Sequence, residues 1–129
     1  MGGEWLVTER NRQAEGLFSR SENREMNPYN IHIAYVSWGD DGKRRPVLII
    51  SSNEKEVAVF QVTSQYSSKS TVIQSQYVVI NDWVQAGLDK QSYIDIGKII
   101  DLPIATVQPT PIGKLSENDL RNLLSAMNE

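Results

Sequence analysis

The sequence predicts a mainly β domain with some α: a small, strongly bent β-barrel with an appended C-terminal helix. Three observations lead there. Between Asn30 and Ile100 the chain passes through successive runs dense in β-branched and aromatic residues. Clusters of Gly, Asn, Asp and Ser punctuate those runs at hairpin spacing. From Ser116 onward the apolar period switches to that of a helix.

Each element has a local reason. Composition changes near Met26. Residues 1–25 hold four arginines and five glutamates, with little apolar material beyond Trp5, Leu6, Val7, Leu17 and Phe18. They read as a flexible N-terminal tail with a short helix over 12–18, and residues 26–129 read as the folded domain. The run Ile-His-Ile-Ala-Tyr-Val-Ser-Trp over 31–38 is a first strand. Gly39-Asp40-Asp41-Gly42 is a turn cluster, and residues 46–51 form a second strand. Pro46 disfavours helix at Arg45, so this arginine is expected on extended backbone where that strand opens. Residues 55–63 make a third strand, 64–70 a polar loop, and 71–80 a fourth strand. Asn81-Asp82-Trp83 opens a helical turn or two, closed by Gly87 as a C-cap. Short strands over 92–96 and 98–100 precede an irregular stretch through Pro103, Pro109 and Pro111. In the final helix Ser116 is the N-cap, Asp119 has capping-box spacing, and Leu115 can staple onto Leu120. Leu120, Leu123, Leu124 and Met127 then mark one buried stripe.

Composition narrows the function. At 129 residues the chain suits one domain with a modest core. It has no cysteine, which excludes disulfides, thiolate metal sites and cysteine nucleophiles, and fits a reducing cytoplasm. Sixteen acidic and 13 basic side chains leave a formal charge of −3, so any nucleic-acid contact is local and short. No apolar run has the length of a membrane span, and the first residues lack a signal-peptide core.

Most catalytic chemistries find no residues here. His32 is the only histidine and lies inside a strand pattern, as a satisfied or surface imidazole would. Asp40 and Asp41 read as turn formers rather than metal ligands. There is no glycine-rich phosphate loop and no GxSxG elbow. One constellation stands out. Lys43-Arg44-Arg45-Pro46 runs into an apolar strand, and Val62-Thr63-Ser64-Gln65 closes the next. If these strands are antiparallel neighbours, Arg45 and Thr63 converge at one rim. Arginine grips phosphate with a forked, permanently charged group. Trp38 offers a face on which an unpaired base can stack. The bland readings are a basic flank that keeps an apolar strand soluble and a strand end rich in turn-forming hydroxyls.

In order and spacing, four blocks resemble the MazF/PemK family, the toxin halves of bacterial toxin–antitoxin pairs. They are Ile33-Ala34-Tyr35-Val36-Ser37-Trp38; Arg44-Arg45-Pro46-Val47-Leu48-Ile49-Ile50; Val62-Thr63-Ser64-Gln65; and a tail of Gly87-Leu88-Asp89-Lys90-Gln91-Ser92-Tyr93 with Ile112-Gly113-Lys114-Leu115-Ser116. The resemblance spans about residues 30–127. It implies an SH3-like (CcdB/PemK-like) barrel that forms a homodimer and cleaves single-stranded RNA with no metal or other cofactor. In such enzymes the ribose 2′-hydroxyl attacks the adjacent phosphate, leaving a 2′,3′-cyclic phosphate and a 5′-hydroxyl. By the family motif Arg45 matches the arginine that neutralises the phosphorane, and Thr63 the threonine that positions the reacting group. Trp38, Lys43, Arg44, Ser64 and Gln65 are the further RNA-holding candidates. The resemblance also implies an acidic antitoxin as partner, with DNA bound only indirectly through it, and a cytoplasmic location.

The chain departs from the family pattern in three places, one being the tail over residues 1–25, which has no counterpart there. Ile31-His32 stands where a Gly-Asp pair is common, and the loop between the first two strands is short. The alternative reading is a non-catalytic barrel that acts by protein binding, either a gyrase poison of the CcdB kind or an inactive family member. Fold alone does not separate these.

Overall fold

A computed structural model describes residues 26–128 of the chain. The tail expected over residues 1–25 lies outside the described residues. Strands β1 (Asn30–Trp38) and β2 (Asp41–Ser52) form a long antiparallel hairpin in which Trp38 faces Asp41. Its turn is only Gly39-Asp40. Gly39 takes φ +57°, a conformation that costs glycine little and that tight hairpin turns use. The hairpin zips up to this turn, so β2 begins at Asp41 rather than at Pro46. Arg45 therefore sits inside the strand, with Ala34 as its β1 partner.

β3 (Glu56–Thr63), β4 (Tyr77–Ile80), β5 (Ser92–Pro103) and β6 (Gly113–Lys114) complete one antiparallel sheet of order β4-β5-β3-β2-β1-β6. The sheet curls into a half-barrel, and α2 (Glu117–Met127) is the C-terminal helix, as expected. The two short strands expected over 92–100 are one strand, β5, whose register with β3 shifts between Val59 and Gln61.

The fourth strand expected over 71–80 is not formed in one piece. Ser70 accepts a hydrogen bond from the Ile73 amide and caps a single helical turn, α1 (Thr71–Gln74). Only Tyr77–Ile80 pairs as strand. Val72 is 71% exposed, so nothing packs on this turn to favour the extended form its β-branched neighbours suggest.

The sheet buries apolar residues on both faces. On one face Ile31, Leu48, Phe60, Val62 and Ile94 pack with Leu123 of α2. On the other, Ala34, Val36, Val47, Ile49 and Val59 pack with Leu102 and Val107. Residues 81–87 make the expected helical turn. The Leu88 amide bonds the Trp83 carbonyl (3.0 Å) and the Gly87 amide the Val84 carbonyl (3.0 Å), the paired bonds of a Schellman cap with Gly87 at φ +82°.

Ser116 caps α2 through the Asp119 amide (3.1 Å), but the Asp119 carboxylate does not close the capping box. It is fully buried and accepts from the amides of Asn81 (3.0 Å) and Asp82 (2.8 Å), so it ties α2 to the start of the 81–87 turn. The stripe on α2 is also only half buried. Leu123 has no exposure, whereas Leu124 and Met127 are 39% and 42% exposed. His32 is buried; its Nδ1 meets the Gln108 carbonyl at 2.7 Å, and its Nε2 has no partner among the described residues.

Candidate functional site

Strand register decides which polar residues share a face. Directly opposed residues of an antiparallel pair point to the same side, and neighbours along a strand point to opposite sides. Val47 opposes Gln61 across β2 and β3. Continuing that register by two places sets Arg45 opposite Thr63. Thr63 opposes Tyr93 on β5, and Tyr93 opposes Val79 on β4. Arg45, Thr63 and Tyr93 thus lie in a row across three neighbouring strands, on the face turned away from α2.

The sequence candidates divide on this criterion. Trp38, Lys43 and Arg45 fall on that face by their spacing along β1 and β2. Arg44 points the other way, opposite Tyr35, so the sheet separates the two adjacent arginines. Ser64 is half-buried and Gln65 exposed, both just past the end of β3.

Arg45 is half-buried, with its Cζ 5.3 Å from the centre of the Trp38 ring. At that distance the ring holds the guanidinium by a cation–π contact without using its N–H groups. The Arg45 Nε is buried and has no hydrogen-bond partner among the described residues. Leaving such a donor unmet costs roughly 1–3 kcal/mol. An anion beside it would remove that cost. The Thr63 hydroxyl oxygen accepts from the Gln65 amide (3.0 Å), which leaves its proton free to donate outward. Two donors, one of them charged, therefore share one face.

A group of three tyrosines completes the surface. Tyr66 and Tyr93 stack with centroids 4.5 Å apart and planes 18° from parallel. Tyr77 lies 6.1 Å from Tyr66 and 6.3 Å from Tyr93. Tyr77 opposes Asp95, and its phenol is pushed above the usual range, first by desolvation and then by that carboxylate. Sequence reasoning missed this group. Its members come from the loop after β3, from β4 and from β5, too far apart to form a local pattern. The one available signal was Tyr66 and Tyr93 near expected strand ends, with Tyr77 inside the expected fourth strand.

Comparison with known proteins agrees with this architecture. A family model described as PemK-like, MazF-like toxin of type II toxin–antitoxin system matches residues 29–129. The chain is similar to the Mycobacterium tuberculosis toxin MazF-mt6, with 25% identity and a TM-score of 0.58, over 77% of this chain and 92% of that one. It resembles in fold a crystal structure of an Mtb toxin, with 20% identity and a TM-score of 0.52, over 74% of this chain and 96% of the other. No curated protein sequence matches it.

Proposed function

The chain belongs to the PemK-like, MazF-like toxins of type II toxin–antitoxin systems, and on that premise we propose that it is a metal-independent, sequence-selective endoribonuclease acting on single-stranded RNA. Members of this family are generally endoribonucleases. The observation that carries the reading is the face shared by Arg45 and Thr63, with the buried Arg45 Nε lacking an acceptor among the described residues.

The chemistry asks little of the protein. The substrate brings its own nucleophile: the 2′-oxygen forms a bond to phosphorus as the bond to the 5′-oxygen breaks. The 2′-oxygen loses a proton, and the departing 5′-oxygen gains one. The products are a 2′,3′-cyclic phosphate and a 5′-hydroxyl. Orientation of the phosphate and stabilisation of its growing charge are what remain. Arg45 supplies the charge and Thr63 a donor that fixes one oxygen. A guanidinium hardly deprotonates, so Arg45 acts electrostatically rather than as a general acid. Lys43 adds charge on the same face, Trp38 an aromatic surface, and Ser64 and Gln65 the backbone beside Thr63. Arg44 faces away and takes no part in this grip.

The family implies an antitoxin partner. An acidic segment is the form of partner that Lys43 and Arg45 would attract, and DNA would be met only through that antitoxin. The exposed Leu124 and Met127 suit burial against a second copy, so a cytoplasmic homodimer completes the proposal. No helix among the described residues is long and apolar enough to cross a membrane.

One observation favours the non-catalytic alternative. The β1–β2 turn is only Gly39-Asp40, too short to fold over a bound strand. Incubation of mixed-sequence single-stranded RNA with the protein in EDTA, with mapping of the product ends, separates the two readings. Selective cuts that end in cyclic phosphate, and that disappear in folded Arg45→Ala and Thr63→Ala, support the nuclease. Failure of well-folded wild type to cut several RNAs sinks it.

A further inference from the structure

The tyrosine group has no part in the chemistry above, yet it adjoins it. Tyr93 is the direct cross-strand partner of Thr63. It lies two strand spacings from Arg45, about 10 Å. Tyr66 closes over Tyr93 in a near-parallel stack and remains 36% exposed. We propose that Tyr66, backed by Tyr93, is a stacking platform for one unpaired base of the RNA, next to the phosphate held by Arg45 and Thr63. This rests on the RNA-binding part of the function proposed above and adds a base subsite to it.

Two features favour a base as the occupant. Rings that are flat, polarisable and partly exposed suit a π-face, and stacking of this kind tolerates any base. Asp95 lies on the same face, opposite both Gln61 and Tyr77. Its carboxylate accepts hydrogen bonds and repels phosphate. The backbone of the strand therefore stays beside Lys43 and Arg45, and the base turns towards the tyrosines.

A purely structural role for Tyr66, tethering the loop after β3, is weaker. Backbone bonds already hold that loop, because the Tyr66 carbonyl accepts from the Lys69 amide (3.0 Å) and from Gln74 Nε2 (2.9 Å). The Ser70 cap fixes the turn that follows. The Tyr66 ring is free to serve something else.

The test reads binding rather than cleavage. A 2′-O-methylated, mixed-sequence single strand has no nucleophile, so it reports the platform whether or not the chain cuts RNA. Tyr66→Ala and Tyr66→Leu should each weaken its binding about tenfold or more, while Tyr66→Phe and Tyr66→Trp bind nearly as wild type. A strand of abasic residues, with sugar and phosphate alone, should bind wild type and Tyr66→Ala equally. All four variants should remain folded at the assay temperature, with Tyr66→Ala and Tyr66→Leu losing several degrees of melting temperature with the stack. Equal binding of the methylated strand by wild type and Tyr66→Ala overturns the platform. So does a loss that is just as large for the abasic strand, or a wild type that binds neither. Wild type that binds with this pattern but cuts no RNA leaves the platform standing and overturns only the nuclease.

Discussion

Toward α2 the sheet is closed: Ile31, Leu48, Ile94 and Leu123 lose all contact with water, and the buried Asp119 has both carboxylate oxygens bonded to backbone amides. The opposite face begins the same way, with Ala34, Val47 and Val59, but it does not finish so. Beyond that apolar patch come Arg45, Thr63, Gln61, Tyr93 and Tyr77, half-buried and facing one way. There the Arg45 Nε is buried without a partner among the described residues. One face has met its polar needs internally, and the other has left a charged donor unmet. Natural cores rarely tolerate such a group without a use for it. The contrast directs attention to the face away from α2.

Substitutions can break that contrast. The largest stability effect belongs to the closed face. Leu123→Ala should cost about 2–5 kcal/mol in denaturant unfolding, because the removed side chain leaves a cavity between α2 and the sheet. Arg45→Ala should reverse the profile: RNA cleavage falls about 10²–10³-fold while the unfolding midpoint holds or rises, since a buried unmet donor is removed. Arg45→Lys should also be damaging, because the planar fork is lost. Asp119→Ala leaves two backbone amides without their acceptor. About 1–3 kcal/mol of stability should be lost, with cleavage per folded molecule unchanged.

The smallest effect is a pH dependence on the open face. The folded state raises the Tyr77 phenol pKa above its unfolded value, so it favours the protonated form. That contribution is fully present below about pH 10, and it fades as pH climbs from there through the raised value. Tyr77→Phe should flatten the fall in unfolding midpoint above about pH 10, relative to wild type.

The closed face was the more legible in sequence, for a physical reason. Its signals are local. Ser116 before a period of 3.6 gives the start of α2, and Gly87 after Asn81-Asp82-Trp83 gives the cap that closes the 81–87 turn. β1 and β3 announce themselves by β-branched runs. Where a tertiary bond competes with a local one, the sequence misleads. Asp119 has capping-box spacing but spends its carboxylate on a distant turn. Val72 and Ile73 read as strand, yet the Ser70 hydroxyl nucleates a helical turn that no packing opposes. Leu124 and Met127 follow the stripe of Leu123 and still lie exposed.

On the open face, strand order alone brings Arg45 and Thr63 to one rim, and the register in which Val47 opposes Gln61 puts them on one face. The division of Arg44 from Arg45 follows from alternation along β2 once the register is known. The tyrosine stack depends on the register of β3, β4 and β5 together and on a loop that folds back. No window of sequence contains that information.

The adjacent arginines provide the most direct test. Arg44 and Arg45 carry the same charge at neighbouring positions, on opposite faces of one strand. Single-turnover cleavage of a single-stranded RNA in EDTA should be compared for wild type, Arg44→Ala and Arg45→Ala, each shown to be folded. If the face turned away from α2 performs the reaction, Arg45→Ala loses about 10²–10³ in rate and Arg44→Ala stays within a few-fold of wild type. Equal losses in both variants would mean that net charge rather than a built site governs activity, and that result would contradict the account.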